Sequence, residues 1–174
     1  MDWVNWGLLR STVVVKIAII AVVYAGLTIA IHPLSYGPLQ VRISDALLTI
    51  PFIPYFGIYG AVGLALGCVL SNIVSPLGPI DILFGFITNL VCGLEAWITY
   101  RVVKNILIGK LLMVSLQITT VTVIIGYILL HLIFDIPLIL SILGVFIGSV
   151  ISIGVLGFTL ITLLQRIKWL WMKQ

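Results

Sequence analysis

The chain has 174 residues, of which 62% are hydrophobic and only 8% charged, and it carries a net charge of +4. Soluble domains are charged at about a quarter of their positions, so this composition excludes a water-soluble globular protein and points to an integral membrane protein. At ~20 residues per span, the length predicts six helices with short connections and no separate soluble domain.

Residues 1–12, with Trp3 and Trp6, read as an interfacial lead-in. Asp2 and the tryptophans are unlike the n-region of a signal peptide, and His32-Pro33-Leu34 offers no small-residue cleavage site, so the first span (13–31) is expected to be retained. Within it Ala18, Ala21, Ala25 and Thr28 share one face that another helix can approach closely. Spacing alone leaves open whether that face is an internal seam or a docking surface.

The stretch Ser35 to Pro51, SYGPLQVRISDALLTIP, interrupts this apolar pattern with Gln40, Arg42 and Asp45. A turn at Gly37-Pro38 leads into a short second span (44–56), with Ser44 as the expected cap, Asp45 in the first turn and two prolines, Pro51 and Pro54. The third span (57–75) places Gly60, Gly63, Gly67 and Ser71 on one face, and the GxxxG at Gly63 and Gly67 predicts close intrachain packing. After the Ser75–Pro79 turn, the fourth span (80–103) aligns Asp81, Gly85, Thr88, Cys92 and Glu95, with Asn89 beside them. Asp81 and Glu95 stand fourteen residues apart, about 21 Å along a helix, too far to share one small ligand. Glu95 is expected to pair with Lys16 or Arg101. The fifth span (111–134) carries Gln117 and His131, the latter expected as a hydrogen-bonded interfacial residue; the sixth (137–165) precedes a tail with Trp169 and Trp171. Cys68 and Cys92 lie in apolar runs without CxxC spacing, which predicts small buried residues, with no disulfide framework or metal site.

With six crossings, Arg10, Lys16, Arg101, Lys104, Lys110, Arg166, Lys168 and Lys173 fall on one side, and Arg42 alone on the other. The positive-inside rule then places both termini in the cytoplasm. The opposite end gathers Arg42, Asn72, Asp81, His131 and Asp135 from three separate turns. A carboxylate at membrane depth costs roughly 2.5–3.5 kcal/mol, so Asp45 and Asp81 each require a partner. One reading is structural: Asp45 pairs with Arg42 and both acids merely favour helix starts. The other is that Asp45 or Asp81 accepts hydrogen bonds from a ligand's N–H face, with Gln40, Asn72 and Asn89 supplying amide donors and acceptors. No GxxxxGK[ST], HExxH or GxSxG motif is present, which argues against a P-loop ATPase and the commonest intramembrane hydrolases.

Ser35-Tyr36-Gly37-Pro38-Leu39-Gln40-Val41-Arg42-Ile43-Ser44-Asp45-Ala46-Leu47 closely resembles the S-x-G-x-x-Q-x-R-x-S-E-A-L stretch of the QueT family, with Asp45 where that pattern has Glu. Gly67-Cys68 followed by Asn72 and Ser75, and Asp81 after a Gly-Pro turn, extend the resemblance over residues 15 to 100. The resemblance implies an all-α, six-helix substrate-binding component (S-component) of an energy-coupling factor (ECF) importer in the cell membrane. Such a subunit captures a queuosine precursor, a 7-deazaguanine base, from outside. It would have no ATPase or cofactor of its own: a transmembrane coupling subunit and two cytoplasmic ATPases would supply the energy from ATP. It further implies a substrate site among Gln40, Arg42, Asp45, Asn72, Asp81 and Asn89, and contact with the coupling subunit through Ala18, Ala21 and Ala25. The alternatives are an S-component for another vitamin or purine, and a membrane enzyme or channel using Asp81, His131 and Asp135.

Overall fold

Among the described residues, many apolar side chains face outward while many polar and charged ones are buried. Val14, Val22, Leu83, Leu107, Ile139 and Leu143 are exposed, whereas Lys16, Arg42, Asp45, Asn72, Asp81, Asn89 and Gln117 are buried. Lipid is the solvent that favours such an arrangement, since water would reverse it. The computed structural model describes residues 3–31, 42–167 and 171, with side chains from Ser11 onward. Gln40, Tyr36, the Gly37-Pro38 turn, Lys168, Trp169 and Lys173, and the side chains of Trp3, Trp6 and Arg10, lie outside those described.

All regular elements among the described residues are helical. Helix α1 (Trp3–Ala30) is followed by a 3₁₀ helix, α2 (Ile43–Phe52), then α3 (Gly57–Asn72) and α4 (Pro79–Val102). Two further rods complete the bundle, α5 (Ile106–Ile133) and α6 (Leu138–Leu164). The second half of α5, Thr122–Ile133, and the middle of α6, Val150–Gly157, are π-helical. Four stretches are long and apolar enough to cross a membrane: Ser11–Ala30, α4, α5 and α6; α2 and α3 are shorter.

The structure corrects several expected boundaries. The lead-in at 1–12 is not separate, because α1 is already helical from Trp3. The fifth rod begins at Ile106 instead of 111, because Asn105 caps it: its Oδ1 accepts from the N–H groups of Leu107 (3.0 Å) and Ile108 (3.1 Å). Lys110, expected in a connection, is therefore inside α5, where its ammonium donates to Thr162 on α6 (3.0 Å) and to Gln165 just beyond it (3.1 Å). Ser44 is not a cap; Arg42 holds that position without a side-chain cap bond. Ser44 lies within α2, where its hydroxyl shares a 2.7 Å hydrogen bond with Thr28 of α1. At about 2.0 Å rise per residue, a 3₁₀ helix reaches further than an α-helix of equal length. That extension suits a segment too short to cross as an ordinary span.

Close approach positions these rods. A Cβ on Gly63 would meet the Ile17 carbonyl oxygen at 2.8 Å, and one on Gly67 the Ala21 carbonyl oxygen at 2.7 Å. The GxxxG face is thus the α1–α3 seam, and Ala21, Ala25 and Thr28 are buried in the bundle. Ala18 stays exposed, and with Ala21, Leu66 and Leu70 it borders an outward apolar groove of about 370 Å³. Gly78, at φ 73°, makes the turn that admits Pro79 as the first residue of α4.

Candidate functional site

Three buried ionisable side chains gather at one end of the bundle: Arg42 immediately before α2, Asp45 in the first turn of α2 and Asp81 in the first turn of α4. Arg42 Nη2 lies 3.7 Å from Asp81 Oδ1, an ion pair longer than a hydrogen bond. Neither carboxylate oxygen of Asp81 accepts a hydrogen bond among the described residues. The start of α4 also favours a negative charge there.

Asp45 is held differently. The Tyr24 hydroxyl of α1 donates to its Oδ1 at 2.6 Å, a bond that fixes the orientation of the carboxyl group. Among the described residues the ion pair within 4 Å is Arg42 with Asp81, while Asp45 is held by Tyr24 and lines the same cavity as Arg42.

The amides hold the surrounding helices. Asn72 Nδ2 donates to the Asp81 carbonyl (3.1 Å), and Asn89 Nδ2 to the Leu64 carbonyl (3.2 Å). Each thereby spends one of its two amide protons on backbone. Gln117 Nε2 donates to both Leu48 O (2.8 Å) and Cys92 O (2.9 Å). The tightest approach here is at Gly85, where a Cβ would lie 2.6 Å from Asn72 Nδ2 and 2.7 Å from Cys68 Sγ.

Between α2, α4, α5 and α6 these groups leave a cavity lined by Arg42, Asp45, Thr88, Asn89 and Ser149, with Val121, Ile125 and Val145 as its apolar wall. About 10 Å³ is open to the centre of a water-sized sphere, room for roughly one water. Of the residues proposed from sequence for a substrate, Arg42, Asp45 and Asn89 line this space; Asp81 pairs with Arg42, and Asn72 bonds the Asp81 backbone. Gln40 is outside the described residues. Sequence reasoning missed Tyr24 and Ser149. Tyr24 had a signal, since it falls on the small-residue face of α1 with Ala21, Ala25 and Thr28; Ser149 had none.

Two other expectations resolve away from the cavity. Glu95 pairs with neither Lys16 nor Arg101: its Oε1 accepts from the Thr120 hydroxyl at 2.5 Å, Lys16 donates to the Tyr55 carbonyl at 2.9 Å, and Arg101 stacks on Trp97. The long span of α4 brings Glu95 beside α5 instead of α1. His131 Nδ1 is 2.9 Å from the Ile136 carbonyl oxygen, as an interfacial histidine would be, and Asp135 is exposed while Asp81 is fully buried.

An apolar bundle enclosing an ion-paired polar cavity defines a multi-pass membrane protein built to shelter a polar group from lipid. The family model described as QueT transporter matches residues 14–166, and the chain belongs to that family. It is a transport protein rather than an enzyme. No curated protein and no solved structure matches the chain.

Proposed function

We propose that this chain is the substrate-binding S-component of an ECF importer, capturing a 7-deazaguanine queuosine precursor from outside the cell membrane. The observation that carries this reading is the meeting of Arg42, Asp45 and Asn89 on one buried cavity in a transporter-family chain. A deazaguanine presents an N1–H and an exocyclic amine, which a carboxylate accepts as a pair, and a carbonyl that needs a donor. Asp45, already oriented by Tyr24, is the acceptor. Arg42 and the remaining amide proton of Asn89 are the donors, and Asp81 is the counter-charge that keeps Arg42 in place. A bicyclic base exceeds a one-water cavity, so binding requires the Arg42 segment or the wall at Val121, Ile125 and Val145 to yield. The π-helical turns beyond Val121 and Ser149 are the irregularities that allow it.

Six crossings with both termini cytoplasmic complete this reading, because the lysines and arginines other than Arg42 then fall inside. The coupling subunit docks on the groove at Ala18 and Ala21. Ala25, buried at 7% exposure, supports that face from within. ATP is used by the two partner ATPases.

Calorimetric titration of the detergent-purified chain tests the substrate assignment. Submicromolar binding of the deazaguanine, worth more than about 8 kcal/mol, is expected, with weaker binding of guanine, which shares the same hydrogen-bonding edge, and none for biotin or thiamine. Asp45→Ala is expected to abolish it and Asp81→Ala to weaken it at least tenfold. Binding of another vitamin would reassign the substrate; undiminished affinity in Asp45→Ala would remove this site.

A further inference from the structure

A second polar cleft lies at the far end of α4. Asp81 and Arg101 are twenty residues apart on this helix, about 30 Å, so the cleft and the substrate cavity occupy opposite ends of the bundle. It measures about 850 Å³ and is lined by Lys16, Arg101 and Lys104, by Tyr55, Trp97 and Tyr100, and by the first residues of α3. Three cations converge there and no acidic side chain among the described residues lines the space.

Their contacts favour anion binding. Lys16 is 6% exposed, 3.7 Å above the Tyr55 ring, and its ammonium donates to the Tyr55 carbonyl. Arg101 lies with its guanidinium 4.3 Å over the Trp97 ring. Stacking engages the face of a guanidinium and leaves its in-plane N–H groups available for a bidentate oxyanion. Arg101 and Lys104 make no hydrogen bond or ion pair among the described residues. The start of α3 adds a partial positive charge, because no side chain caps it and its first turn carries no acid.

The flanks are apolar and outward: Ile58 is 39%, Ile98 49% and Val102 72% exposed. A free phosphate needs no such walls, whereas a phospholipid headgroup brings acyl chains that cover them. Basic pockets between membrane helices, bordered by aromatic belts, suit acidic headgroups. We propose that this cleft is a binding site for the phosphate of an anionic phospholipid, with Arg101 and Lys104 as its ligands and Lys16 as a fixed positive floor.

The test is titration of the full chain, in neutral detergent, with phosphatidylglycerol, phosphatidylcholine or inorganic phosphate, read by tryptophan fluorescence and by the thermal unfolding midpoint. Phosphatidylglycerol is expected to bind and raise the midpoint, with phosphatidylcholine inert. The R101Q/K104Q variant should lose about tenfold in phosphatidylglycerol affinity, K104Q alone a smaller part, and R101K/K104R should retain most of it. Equal effects of the two lipids, or undiminished phosphatidylglycerol binding in both glutamine variants, would overturn the site. The same midpoint shift from inorganic phosphate alone would overturn the lipid as its source.

Discussion

Pro51 has no N–H, so in the 3₁₀ pattern of α2 the Leu48 carbonyl, three residues earlier, loses its donor. Gln117 supplies the missing bond from α5, at 2.8 Å. A carbonyl left unsatisfied inside a membrane bundle costs about 1–3 kcal/mol. The variant Gln117→Met keeps a similar side-chain length without the amide, and its thermal unfolding midpoint is expected to fall by an amount corresponding to that range; an unchanged midpoint would show that the bond adds nothing. Both partners were visible in the sequence as a proline in a short span and a glutamine in a long one. Their pairing was not, because 69 residues separate Leu48 from Gln117 and no local pattern joins them. Arg42 and Asp81 present the same case: Asp81 was marked as a costly charge and Arg42 as a candidate site residue, but 39 residues separate them and no local pattern pairs them.

The α1–α3 seam links packing to the substrate site at the scale of elements. A Cβ on Gly67 would press on Ala21 and also lie 3.0 Å from Tyr24 Cβ, and Tyr24 is the residue that holds Asp45. Gly67→Val is therefore expected to destabilise the bundle by about 1–3 kcal/mol through overpacking and to weaken base binding, though it touches no cavity residue. Gly26→Ala, on α1, is the control: nothing lies within 4 Å of its Cβ, and replacing a helical glycine adds about 0.5–1 kcal/mol of stability. The unfolding midpoint should fall for Gly67→Val and rise for Gly26→Ala, and the calorimetric affinity should fall for Gly67→Val and stay unchanged for Gly26→Ala. The spacing of Gly63 and Gly67 was legible because helical period is a property of neighbours in sequence. The partner helix was not, and neither was the early start of α5, since its capping asparagine stands before an apolar run interrupted by Gly109-Lys110.

At the scale of the whole molecule, the buried polar cluster and the apolar exterior provide a site and a lipid-facing surface, but no P-loop to use ATP. On the proposed function, liposomes containing this chain alone accumulate no deazaguanine, and uptake appears when the coupling subunit, both ATPases and ATP are added. Accumulation by the chain alone would remove the importer-subunit reading. Sequence by itself determined the membrane class, the helical periodicity, the charges that must be sheltered and the family, because hydropathy, spacing and motif are local properties of the chain. Tertiary structure alone decided that Arg42 meets Asp81, that Tyr24 holds Asp45 and that Lys16, Arg101 and Lys104 share a cleft. Those pairings depend on how each rod is rotated and offset against its neighbours, and that register is set by contacts between residues far apart in the chain.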